Sequence, residues 1–165
     1  MLKKFLFATA LLFSVALSAQ KIAYVNVESL YMVMPEVSDM ENTLASLNES
    51  YMAELTKMQE EYQRKGAELI AQQDTLAENI KLRRQQEVQE MQMRLQNFYE
   101  ISQQDLQKKQ EDLLAAINQK IKDTVKVVGE ENGYTYVMTN MAFLYAGPDS
   151  VDATPQVKQK LGIKE

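Results

Sequence analysis

Apolar side chains recur at helical spacing through most of the middle of the chain. Met40, Leu44, Leu47, Tyr51, Leu55, Met58 and Tyr62 are separated by 4, 3, 4, 4, 3 and 4 residues. That is a narrow stripe near the heptad period, the kind two packed helices share. A second stripe runs Val88, Met91, Leu95, Phe98, Ser102 and Leu106, then resumes at Leu113, Ile117, Ile121, Val125 and Val128 after a polar gap at Lys109. The 93 residues 36–128 hold no proline and a single glycine, Gly66. As one straight helix they would span about 140 Å and would separate the strand-like segments at either end, which are not stable alone. The pattern therefore predicts a long antiparallel helical coiled-coil hairpin over 36–128.

Its turn is placed by local chemistry. Thr75-Leu-Ala-Glu78 matches the capping box, in which a hydroxyl and a carboxylate satisfy free backbone donors at a helix start, and Asp74 is a second capping candidate. A tip near 73–76 makes facing positions sum to 149 or 150, opposing Tyr51 to Phe98, Leu55 to Leu95, Met58 to Met91, Leu69 to Ile80 and Leu47 to Ser102. Apolar then meets apolar nearly throughout. A turn at Gly66 is the rival, and it would leave arms of 30 and 62 residues.

Outside the arm the period changes. Lys21–Val27, Tyr134–Met138 and Ala142–Ala146 read as strands, with Asn140-Met141 turning the last two into a hairpin. Glu28–Met34 reads as a helical turn, and Pro35 suits the first position of the helix that follows. Glu131-Asn132-Gly133 is a helix stop, Gly147-Pro148-Asp149 breaks the chain, and a short helix is expected from Thr154 with Val157 and Leu161 facing inward. The fold class is α+β: a small β-sheet body from 20–35 and 129–165, where chains would associate, and a hairpin arm from 36–128.

Composition narrows the function. Residues 1–19 read as a signal peptide: Lys3 and Lys4, an apolar run from Phe5 to Leu17, then small residues leading to cleavage near Ala19. The run is too short for an ordinary membrane span, and with no cysteine after it no lipid anchor is expected. The mature chain is expected to be exported and soluble. Without cysteine it relies on packing and on association of copies. It carries 16 basic against 23 acidic side chains, a net charge of −7, which argues against nucleic acid as a partner. The absence of histidine removes the usual general base and zinc ligand. No glycine-rich loop could cradle a phosphate, and Asp149 and Asp152 match no calcium loop. No enzymatic activity, cofactor or metal is expected.

Three surface features remain. Met52, Ile70, Met93, Tyr99 and Ile101 are apolar but lie off the stripes. They either widen the hairpin's own core or form a surface for clients, a use to which flexible methionines adapt. Lys81, Arg83 and Arg84 cluster just past the tip, either as a solvated helix face or as a contact for anionic lipid head groups or acidic segments. The small sheet has open edges that invite pairing with another copy. A bias toward glutamine, 14 between Gln59 and Gln119, is either a plain solvated surface or a weakly interacting wall along which a bound chain could slide.

Taken in order, the leader, Lys-Ile-Ala-Tyr-Val-Asn-Val, the hairpin, Glu-Asn-Gly-Tyr-Thr-Tyr-Val-Met, Phe-Leu-Tyr-Ala and the final Asp152-Ala-Thr-Pro-Gln-Val-Lys-Gln-Lys-Leu161 resemble the Skp/OmpH family of periplasmic chaperones. The resemblance covers essentially the whole mature chain. It implies a homotrimer in the periplasm, whose sheets join into a β-barrel and whose arms enclose a cavity. Family members hold unfolded outer-membrane β-barrel proteins there without ATP. The best-known members are strongly basic, so the −7 here implies weaker electrostatic capture, and a lipopolysaccharide site is not carried over. Two other readings stay open: a structural or adaptor coiled coil binding one folded partner through the tip, and a periplasmic lipid- or cell-wall-binding protein.

Overall fold

In a computed structural model, residues 21–148 and 150–163 are described. The signal over 1–19, its cleavage point and Asp149 lie outside the described residues. The elements in chain order are β1 (Ile22–Val25), α1 (Val27–Tyr31), α2 (Pro35–Gln72), α3 (Glu78–Asn132), β2 (Tyr136–Thr139), a 3₁₀ turn (Asn140–Ala142), β3 (Val151–Asp152) and α4 (Thr154–Lys160). They divide into two compact units, Pro35–Asn118 and the described residues up to Met34 together with those from Gln119 on.

The first unit pairs α2 with the early part of α3. Pro35 opens α2, and Gly66 sits inside it as an ordinary helical residue, so the turn lies at 73–77. Contacts across the pair run in opposite chain order: Tyr51 meets Phe98 edge-on with ring centroids 5.9 Å apart. Lys65 meets Glu87, and Gln72 meets Arg84. The expected register of Tyr51 on Phe98 is present. Most stripe side chains remain half-exposed, because a two-helix pair covers each of them from one direction only. Ser102, inside the second stripe, is buried, and its hydroxyl donates to the Phe98 carbonyl at 2.6 Å.

The capping box does not form. The Thr75 hydroxyl turns back to the Gln72 carbonyl at 3.1 Å, serving the end of α2, and the backbone carbonyl of Ala77 starts α3 by accepting from Lys81. With only five residues between the helices, one short side chain cannot serve both ends, and the orphan carbonyl took it.

The second unit holds a three-stranded sheet in the order β2-β1-β3, with both neighbours parallel to β1. Ile22 pairs with Tyr136 and Ala23 with Val151. Alternation puts Ala23 and Val25 in the core beside the buried Leu30, Val128, Ala153 and Val157, while Ile22 is exposed. Asn26 caps α1 by accepting from the Ser29 amide at 3.0 Å. α3 ends in a Schellman turn: the Tyr134 amide donates to Gly129 at 2.9 Å and the Gly133 amide to Glu130 at 3.4 Å, with Gly133 at φ 66°. The expected helix from Thr154 is α4, and Val157 is fully buried.

The expected hairpin between 134–138 and 142–146 is replaced by this parallel arrangement. Asn140–Ala142 winds into a 3₁₀ turn, which advances the chain without reversing it, and 142–146 leaves the sheet. Val151 and Asp152 take the free edge of β1 instead, fastened by the Ala153 amide to the Tyr24 carbonyl at 2.8 Å. Thr154 completes the fastening. Its hydroxyl accepts from the Asn26 amide at 2.9 Å and donates to the Asp152 carboxylate, which also accepts from the Thr154 amide at 2.8 Å. The intervening segment lays Phe143 edge-on to Tyr24, centroids 6.3 Å apart.

Candidate functional site

The five off-stripe apolar residues are all open to solvent: Met52 53 %, Ile70 70 %, Met93 56 %, Tyr99 54 % and Ile101 63 %. They do not widen the core of the hairpin. Nor do they share one face. At about 100° per residue, Met52 and Ile70 fall on the same flank of α2, a quarter turn from its stripe. Because α3 runs the other way, Tyr99 falls on that same side of the pair. Ile101 falls on the opposite side, and Met93 on the outer face of α3. What the surface offers is separated apolar points, each too small to fix a partner's shape.

Two clefts mark the two sides of the pair. One, about 560 Å³, is lined by Leu44, Ala45, Asn48, Gln103, Leu106 and Gln110 among others. The other, about 180 Å³, is lined by Glu54, Met58, Glu61, Met91 and Arg94. Ion pairs gather on the second side. Arg64 bonds Glu68 at 2.9 Å, Lys57 approaches Glu54 at 3.7 Å and Arg94 approaches Glu90 at 3.6 Å. Exposed pairs of this kind add little stability. Lys65 crosses to Glu87 at 2.9 Å. That hydrogen bond, then the Lys65 charge, holds the Glu87 carboxyl below the usual range, and Arg83 and Arg84 act in the same direction. Across the same side the Tyr51 hydroxyl donates to Asp105 at 2.6 Å, which pushes its pKa up.

The basic trio is partly engaged. Arg84 donates to the Gln72 side chain of the other helix at 2.7 Å, and Arg83 is exposed. Glu68, Asp74, Glu78 and Glu87 stand in the same few turns, so the tip is a mixed-charge surface. Among the described residues no three histidine, cysteine or acidic side chains gather as a metal site. Leu82, 52 % exposed near the tip, and the exposed Tyr136 and Met138 on β2 are further open apolar side chains that the stripes do not include. The β2 residues carried a signal in their alternation, but assigning them to a hairpin concealed which edge they would form.

This combination of a two-helix arm and a small strand body matches known proteins. A profile described as outer membrane protein (OmpH-like) matches residues 21–161. The chain belongs to the OmpH-like family. Relatives of this OmpH-like chain include the chaperone protein Skp of Yersinia enterocolitica, 27 % identical over 164 residues covering 95 % of this chain and 100 % of the relative. The chaperone protein Skp of Vibrio cholerae serotype O1 is 30 % identical over 156 residues, covering 86 % and 84 %. Its fold is similar to that of a Caulobacter crescentus protein described as an outer membrane chaperone (OmpH-like). The TM-score is 0.74 at 15 % identity, over 87 % of this chain and 85 % of the other. Among the described residues of the OmpH-like chain, no helix is long and apolar enough to cross a membrane.

Proposed function

We propose that this OmpH-like chain is an ATP-independent holdase of the periplasm that binds unfolded outer-membrane β-barrel proteins and prevents their aggregation. The observation that carries the reading is the set of five solvent-open apolar side chains, Met52, Ile70, Met93, Tyr99 and Ile101, on a paired helical arm. Many separated weak contacts hold a chain without imposing a structure, because their sum comes from multivalency and no single hot spot is needed. The chaperone names of its relatives support the same reading.

The assembly proposed with it is a homotrimer, with the sheets of three copies joining and three arms, 36–128, enclosing the client. Within the described residues the outer edges of β2 and β3 have no further strand, and closure with other copies is the usual remedy for such edges. Lys81, Arg83 and Arg84 are the proposed point of contact for anionic head groups or acidic client segments, weakened by the acidic residues around them. The signal peptide, cut near Ala19, delivers the chain to its compartment.

The test dilutes a urea-unfolded outer-membrane barrel protein into buffer and follows light scattering with and without the mature chain. Suppression near one trimer per client, repeated with an unrelated barrel, is the expected result. Changing Met52, Met93, Tyr99 and Ile101 to serine should weaken suppression at least several-fold at unchanged helix content. A folded, helical protein that suppresses nothing overturns the reading in favour of an adaptor with one folded partner.

A further inference from the structure

Charge is divided between the two sides of the arm. From Ala45 to Ile70, the flank of α2 that carries Met52 reads Ala45, Asn48, Met52, Thr56, Gln59, Gln63, Gly66 and Ile70 at about 100° per residue. The matching flank of α3, from Gln85 to Gln110, reads Gln85, Gln92, Gln96, Tyr99, Gln103 and Gln110. The ionisable group among these residues is the Tyr99 phenol, and Glu49 and Glu100 lie further round, toward the outer faces of the two helices. The opposite side of the same stretches carries Glu54, Lys57, Glu61, Lys65 and Glu68 on α2 and Glu87, Glu90, Arg94, Asp105 and Lys108 on α3. The cleft linings agree with this division: amides and aliphatic groups on one side, and Glu54, Glu61 and Arg94 on the other. The ion pairs Lys57–Glu54, Arg64–Glu61, Arg64–Glu68, Lys65–Glu87 and Arg94–Glu90 all belong to the charged side.

We infer that the uncharged, glutamine-lined side of the arm is the surface that receives the client, and that its occupant is an extended, uncharged stretch of unfolded polypeptide. The inference rests on the holdase reading and deepens it. A glutamine carboxamide presents one carbonyl and one NH₂ group, the same donor and acceptor chemistry as a peptide bond. A row of them can meet the unpaired backbone groups of an extended chain at any register. Their exposed amides give up little in exchanging water for peptide, whereas ionised side chains would lose hydration when covered. Met52, Ile70 and Tyr99 stand among the amides as isolated apolar points for alternate side chains of the guest. A strand destined for a membrane barrel offers just this: apolar side chains, few charges and a backbone without partners. The charged side, where Ile101 stands among ion pairs, makes the smaller contribution to binding and keeps the arm in solution.

Two variants of the mature chain with equal net charge provide the test. The first carries Gln63→Glu, Gln92→Glu, Gln103→Glu and Gln110→Glu, isosteric changes on the uncharged side that leave helix propensity nearly unchanged. The second carries Lys57→Glu and Lys108→Glu, two reversals that add the same four negative charges to the other side, away from Met93 and Ile101. The Kd for a urea-unfolded barrel protein is measured by client fluorescence at low and high salt, with circular dichroism and sedimentation as controls. The first variant should bind at least ten-fold more weakly, and the second within two-fold of wild type. If both variants weaken equally, net charge and not sidedness governs binding, and the inference fails. It also fails if neither changes, or if the first variant alters the oligomer and so marks its side as a contact between copies. Absence of client binding by the wild type instead overturns the holdase reading itself.

Discussion

Thr154→Val tests whether the C-terminal segment is fastened to β1 as the geometry requires. Thr154 is 6 % exposed, and its hydroxyl joins residues 128 positions apart in sequence by accepting from the Asn26 amide. Valine keeps the shape and removes the oxygen. The Asn26 amide then loses its acceptor, and Asp152 keeps only the Thr154 amide of its two donors. Stranding one part-buried donor costs about 1–3 kcal/mol, and a central value of ~2 kcal/mol is about 30-fold in the folding equilibrium by the usual tenfold per 1.4 kcal/mol. The assay is urea unfolding followed by the near-ultraviolet signal of tyrosine, because far-ultraviolet ellipticity reports mainly the arm. Protomer concentration is held fixed, since association shifts apparent stability. Thr154→Ser should retain most of the wild-type stability. The reasoning is refuted if valine costs nothing measurable, or if serine costs as much as valine.

Two further predictions concern the two ends of α3. Gly133→Ala meets no atom within 4 Å but must hold φ 66°, so thermal unfolding should show a loss of about 1–2 kcal/mol from backbone strain alone. Glu87 has a carboxyl pKa lowered by Lys65, so its contribution is present above the ordinary value of 4.5 and disappears as pH falls through the lower folded value. Protection of the amides near Lys65 and Glu87, taken relative to their intrinsic exchange rate at each pH, should therefore fall on acidification, and Glu87→Gln should flatten that dependence; an identical profile in the variant refutes the linkage.

Much of the arm was legible because a 3–4 spacing has one geometric solution. Tyr51 on Phe98 follows from placing the turn near 75, and the off-stripe positions follow from the same count. The sheet was less legible. Tyr134–Met138 and Ala142–Ala146 both have strand composition, and a nearby Asn-Met favours a local hairpin. What decides the pairing is remote: the edge of β1 and the Thr154 hydroxyl, brought together only by the fold. The capping box failed because Thr75 faced two helix ends at once and bonded Gln72. The glutamine bias was visible, but its sidedness needs the direction of both helices before the two flanks can be matched.

The parallel sheet also sets an order of events. β1 is the first element of the described chain, yet its partners Tyr136 and Val151 lie 114 and 128 residues after Ile22 and Ala23. A chain emerging from its N-terminus can wind and pair its helices while β1 has nothing to bond to. Closing so long a loop is slow compared with local helix formation. Both edge strands come into being only when about the last thirty residues are out. The topology thus works as a completion check: a chain cut short before Tyr136 can pair its helices but cannot close the sheet.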